Sequence, residues 1–195
     1  MKSIICWRNK FFSVGVIIFS MLLLVSCSTG GGDFNVVDQN NGWNNNYISS
    51  IGETGSDFYA QSFIPNVKEI TKFGVVIQQH AAQGEVRLAI AADNGSGYPN
   101  VNAPLYSGAL KVPSATGAWF YEENIGVAVT PGQKYWVLID GYNNTGATGY
   151  SNIGVSSNLP NTGEGIFFSN DAGASWETYI DYPLAIYVEG KTTIE

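Results

Sequence analysis

Histidine occurs once in this 195-residue chain, at His80, and cysteine twice, at Cys6 and Cys27. A zinc site needs three or four His, Cys or acidic ligands, so that chemistry has little to build on. A Ser-His-Asp triad would have to use His80, which sits in the polar turn Gln78-Gln79-His80-Ala81-Ala82-Gln83-Gly84, and no G-x-S-x-G elbow is present. Basic residues are also scarce, nine against sixteen acidic, for a formal charge of −7. That balance argues against nucleic acid and against anionic lipid surfaces as partners. Helical periodicity is nearly missing, which removes crossover helices and with them a parallel sheet.

One apolar stretch stands out. Phe11 to Val25 is almost unbroken and follows Lys2, Arg8 and Lys10. Fifteen residues at ~1.5 Å each span about 22 Å, short of the ~30 Å hydrocarbon core of a bilayer. The run suits the apolar core of a signal peptide over residues 1–26; without lipidation it would be an ordinary signal peptide or a short membrane anchor. The residues after it, Leu24-Val25-Ser26-Cys27, resemble the bacterial lipobox. That resemblance implies lipidation at Cys27 and a protein held at the bacterial cell envelope through its lipid. Ser28, in place of Asp, implies passage to the outer membrane. Removing residues 1–26 takes three basic residues with it and moves the formal charge from −7 to −10. Cys6 leaves with the signal and Cys27 carries acyl chains, so no disulfide remains.

Residues 27–46, the cysteine and STGGGDFNVVDQNNGWNNN, are dense in Gly and Asn and read as a flexible tether. Residues 47–190 read as one domain of common size, and 191–195 as a tail. Short strand signals recur, broken by Gly, Asn and Pro. Val86, Leu88 and Ile90 alternate onto one face, as do Ile125, Val127 and Val129, and Leu184, Ile186 and Val188. Tyr135 to Ile139 is apolar on both faces, which predicts a central strand. About ten antiparallel strands predict an all-β, jelly-roll-like sandwich.

Ala60-Gln61-Ser62-Phe63, Gly97-Tyr98-Pro99, Trp119-Phe120-Tyr121 and Pro131-Gly132-Gln133-Lys134-Tyr135-Trp136 fall in an order that resembles jelly-roll domains of secreted bacterial surface proteins. The resemblance implies the fold; for function it implies only a surface appendage.

Ser169-Asn170-Asp171-Ala172-Gly173-Ala174-Ser175-Trp176 resembles the Asp box of sialidases and propeller proteins. A propeller needs several blades of about 40 residues, and the motif occurs once. By resemblance, a sialidase needs an arginine cluster, and after residue 26 only Arg87 remains. The motif therefore reads as a hairpin staple. Asp171 accepts turn N–H groups, Gly173 takes positive φ, Ser175 adds a local hydroxyl bond, and Trp176 caps the hairpin that Ser169 opens.

For catalysis, Glu122 and Glu123 point to opposite faces of a strand and cannot flank one bond. Glu53, Asp57, Asp140 and Glu164 in or near loops leave a glycan hydrolase as a lesser alternative. The turns at Asp93 and Asp140 are rich in oxygen and are weak candidates for a structural Ca²⁺; no other cofactor is expected. Aromatics are more informative. Tyr98, Tyr142 and Tyr150 lie in expected loops beside Asn100, Asn143 and Asn144. Rings stack on sugar faces while amides bond hydroxyls, so these loops point to a non-catalytic carbohydrate-binding surface module. The alternative partner is another protein, contacted by a structural or adhesion module.

Overall fold

A computed structural model describes residues 33–51, 57–79, 84–112, 117–140, 151–179 and 181–193. Every regular element among them is a strand. In chain order they are β1 (Asp33–Asn40), β2 (Asn46–Ile51), β3 (Phe58–Phe63), β4 (Glu69–Gln79), β5 (Gly84–Ala92) and β6 (Tyr106–Val112). They continue with β7 (Ala118–Ala128), β8 (Tyr135–Asp140), β9 (Ser151–Val155), β10 (Ile166–Ser169), β11 (Glu177–Tyr179) and β12 (Ile186–Thr193). No helix among the described residues is long and apolar enough to cross a membrane.

The strands form two six-stranded antiparallel sheets. The first runs β1-β12-β4-β9-β2, with β7 also paired to β4. The second runs β11-β10-β3-β8-β5-β6. Neighbours in each sheet are mostly distant in sequence, as in a jelly-roll-like sandwich. The core lies between the sheets. Phe73, Val75 and Ile77 of β4 face Val86, Leu88 and Ile90 of β5, and all six are buried. Leu184, Ile186 and Val188 are buried as their alternation predicts. β8 is buried along its whole length between β3 and β5. Two-sided apolarity is what a central strand requires.

A second cluster sits on the outer face of the β8 sheet. Ala60, Ala89, Ala91, Trp136, Leu138 and Phe167 are buried there, with Val101 and Trp176 packed over them. The small alanines leave room for the indole of Trp136, and two loops close the layer.

Three expectations need correction. The tether does not run to Asn46: residues 33–40 form β1, paired with β12 from Asp33↔Thr193 to Asn40↔Tyr187 with a bulge between Val37 and Gln39. Edge position and bulge leave β1 mostly exposed, so it carries no apolar alternation to read. The segment after it is pinned as well. The Asn41 side chain donates to Leu184 O at 2.6 Å and accepts from Ile186 N at 2.8 Å. Nor is 191–195 simply a tail, because β12 continues to Thr193 along β1. Finally, the alternation at Ile125, Val127 and Val129 does not mark a strand of its own: it continues the single β7 from Ala118, whose register shifts against β4 between Ile70 and Lys72.

Candidate functional site

The strands that lead into the two expected loops leave the sheet at opposite ends of β8. β5 and β8 pair with Ala92 opposite Tyr135 and Arg87 opposite Asp140. The chain enters the Asp93 turn at the Tyr135 end of β8 and leaves β8 at Asp140. Five strand steps of ~3.3 Å separate these points by about 16 Å. Tyr142, Asn143, Asn144 and Tyr150 lie outside the described residues, as do Cys27, Glu53 and His80. The remaining members of the expected set, Tyr98 and Asn100, stand apart from that end of the fold.

The Asp93 turn has a structural job in its own right. Asp93 Oδ1 accepts from Gly95 N at 2.8 Å and Gly97 N at 3.2 Å, and its Oδ2 accepts from Trp136 Nε1 at 3.3 Å. Asn94 Oδ1 takes Ser96 N and Tyr98 N. Asn100 N donates to Ala92 O at 2.9 Å. The Tyr98 ring meets Phe167 edge-on at 6.0 Å. Both Asp93 oxygens thus face N–H donors. Asp140 pairs with Arg87 at 3.4 Å. Among the described residues no three His, Cys, Asp or Glu groups converge.

The Asp-box hairpin joins β10 to β11. Ser169 Oγ donates to Asp171 Oδ1 at 2.7 Å and accepts from Gly173 N at 2.8 Å. Ser175 N reaches Asp171 Oδ1 at 2.9 Å, and Ser175 Oγ reaches Oδ2 at 2.6 Å. These donors, Ser175 first, hold the Asp171 carboxyl down at about 2. Gly173 has φ +86° and Ala172 +59°. Trp176 turns back onto the outer layer beside Phe58. All five motif side chains or backbone positions are spent inside the hairpin and its packing.

Among the described residues, Glu122, Glu123 and Glu164 each have a separate partner. Glu122 accepts from Tyr106 Oη at 2.6 Å between the sheets, while Glu123 pairs with Lys72 on the outer face. Burial and that bond push Tyr106 up to about 12. Glu164 is held by Lys134 at 2.6 Å and by Ser62 at 2.5 Å, near the Tyr135 end of β8. Asp57 lies beside Phe58, which pairs with Asp140 at the other end.

The concavity that merits attention was not legible in the sequence. Where the sandwich opens between β2 and β11, a cavity of about 270 Å³ is lined by Ile48, Tyr59, Ile166, Phe168, Tyr179 and Tyr182. Register builds it. Tyr59 stands opposite Phe168, and Phe168 opposite Glu177, so these side chains share the inner face of three adjacent strands. Ile166 stands opposite Tyr179 on the same face. Tyr59 and Phe168 form the floor, their centroids 4.9 Å apart. Tyr179 and Tyr182 stand at the mouth, 46% and 54% exposed. Tyr179 Oη donates to Glu177 Oε2 at 3.0 Å, which raises the phenol above its ordinary value. The only sequence signal was the Glu177-x-Tyr179 alternation followed by Tyr182, close behind the Asp box. A shallower depression of about 440 Å³ runs along Asp93, Gly95, Gly97, Gln133, Lys134 and Tyr135.

A second aromatic group lies on the outer face of the β4 sheet. Gly74 stands between Tyr121 and Tyr187 in register, and a Cβ there would run into the Tyr121 ring. Trp119 lies nearly parallel to Tyr121 at 6.0 Å, and Lys72 Nζ sits over the Tyr121 ring at 4.0 Å. These rings are half-buried against one another and the lysine.

No protein-family model matches the chain, and no curated protein matches it. Among solved structures it is similar to the cysteine protease and lectin-like domains of Cwp84, a surface layer associated protein of Clostridium difficile. Identity is 14% and the TM-score 0.47, over 71% of this chain and 32% of that one. The chain thus spans about a third of the length of that solved chain.

Proposed function

We propose that this is a non-catalytic carbohydrate-binding domain of the bacterial cell surface, anchored through lipid at Cys27 in the outer membrane, with the β2–β11 cleft as its binding site. The observation that carries the reading is the pair of exposed rings, Tyr179 and Tyr182, over the aromatic floor of Tyr59 and Phe168. Stacking rings plus hydroxyl and carboxylate groups at the rim are the elements of a sugar site. The function needs no cofactor. A second reading, a module that contacts another protein, is favoured by the Trp119–Tyr121–Tyr187 group on the outer face.

The test is NMR titration of the folded domain with a panel of glycan oligomers. Binding should perturb Tyr59, Phe168, Tyr179 and Tyr182. Tyr179→Ala should weaken it by roughly 3- to 10-fold, the loss of about one stacking contact, with Tm little changed. Absence of binding by every glycan, or binding indifferent to Tyr179→Ala and Tyr182→Ala, would overturn the reading.

A further inference from the structure

The charge around the cleft is one-sided. Glu177 faces the same side of β11 as Tyr179, stands opposite Phe168, and accepts the Tyr179 hydroxyl. Asp181 is exposed in the short link between Tyr179 and Tyr182. Positive charge is elsewhere. Beyond residue 26 the chain has six basic residues. Lys68, Lys72, Arg87, Lys134 and Lys191 are each paired with a carboxylate: Asp33, Glu123, Asp140, Glu164 and Glu69. Lys111 lies on β6, at the opposite edge of the sheet from β11. Five strand spacings of ~4.8 Å put it about 24 Å away. The cleft itself presents four aromatic rings, Tyr59, Phe168, Tyr179 and Tyr182. Ring faces attract organic ammonium groups through their quadrupole, and a carboxylate at the rim adds a counter-charge. An acidic sugar would meet Glu177 and Asp181, and every described lysine and arginine except Lys111 is already paired with a carboxylate.

Building on the glycan reading, we propose that the cleft takes a glycan bearing a protonated amine, an amino sugar, with the ammonium against the tyrosines and Glu177. The hydroxymethyl and ring faces of such a unit fill the remaining apolar wall at Ile48 and Ile166. N-acetylation removes the charge but adds an acetyl group, so the two forms are compared in the wild type and again in Glu177→Gln, where the change in preference gives the ammonium's share.

The experiment is calorimetric titration of the folded domain, at slightly acidic pH, with glucosamine oligomers and with N-acetylglucosamine oligomers of equal length. The free-amine form should bind roughly tenfold more tightly. Glu177→Gln, which keeps a partner for Tyr179 Oη, should shrink that preference to about twofold or less, and rising salt should erode it. Equal or tighter binding of the acetylated form overturns the proposal and leaves the glycan reading standing. So does a free-amine preference that persists in both Glu177→Gln and Tyr179→Ala, since that marks diffuse attraction to an acidic chain, sixteen acidic residues against nine basic. Failure of both oligomers overturns the amine proposal. If the wider panel of glycans also fails to bind, the glycan reading falls with it.

Discussion

Gly173 of the Asp-box hairpin packs directly on Val101 of the Asp93 turn: a Cβ at Gly173 would come within 2.7 Å of Val101 Cγ2. Two loops about 70 residues apart in the chain therefore close the outer layer over Phe167 as one unit, with Tyr98 and Trp176 beside the contact. Gly173→Ala should cost about 1–3 kcal/mol, from strain at φ +86° and from the clash. Chemical denaturation measures it. In Val101→Ala the clash is relieved, so the double variant should lose less than the sum of the singles. Strict additivity would mean that the loops do not touch.

Asp171 makes the hairpin sensitive to acid. Its folded-state carboxyl lies at about 2, below the ordinary value of 3.8. A depressed acid stabilises the fold above the unfolded value and loses that contribution as pH falls from about 4 toward 2. In Asp171→Asn this part of the acid loss should vanish, and Tm at neutral pH should drop by a few degrees. Melting curves between pH 2 and 7 check both. Parallel curves for the two proteins would contradict the assignment.

Asn41 should prove one of the costlier polar positions. Its side chain serves Leu184 O, Asn158 O and Ile186 N, and its carbonyl takes Ser156 Oγ at 2.5 Å. Asn41→Ala orphans a buried donor and an acceptor, about 2–4 kcal/mol together. Asn41→Asp should be nearly as harmful, because Leu184 O loses its donor. Urea unfolding is the measurement, and a loss under about 0.5 kcal/mol would place this segment back in the tether.

Lipidation at Cys27 is expected from the Leu24-Val25-Ser26-Cys27 match. Metabolic labelling with an alkyne fatty acid should mark the wild type and not Cys27→Ser. Label that persists in the variant would sink the anchor.

The strands were legible wherever burial follows alternation. Val86-x-Leu88-x-Ile90 and the two-sided Tyr135–Ile139 both announced their place. β1 was not, because this edge strand exposes Phe34 and Val37 and buries Gln39, whose polar side chain carries no apolar signal. The cleft was hidden for a different reason. Its lining comes from β2, β3, β10, β11 and Tyr182, and only the strand order brings them together. Strand order likewise puts Ala92 and Asp140 at opposite ends of β8, which no local pattern around Asp93 or Asp140 reveals.

The pairing of β1 with β12 has a mechanical meaning. A chain anchored ahead of Asp33 would be pulled at the Asp33–Thr193 end of this ladder, while Tyr182 enters β12 from the Ile186 end. Seven strand steps, about 23 Å, separate the two ends. Tension between an anchor and a ligand held in the cleft would therefore run lengthwise along the two strands. All their cross-links would share the load at once, in shear, and none would be peeled singly. A surface protein gripping a glycan under flow would be held by a joint of that kind.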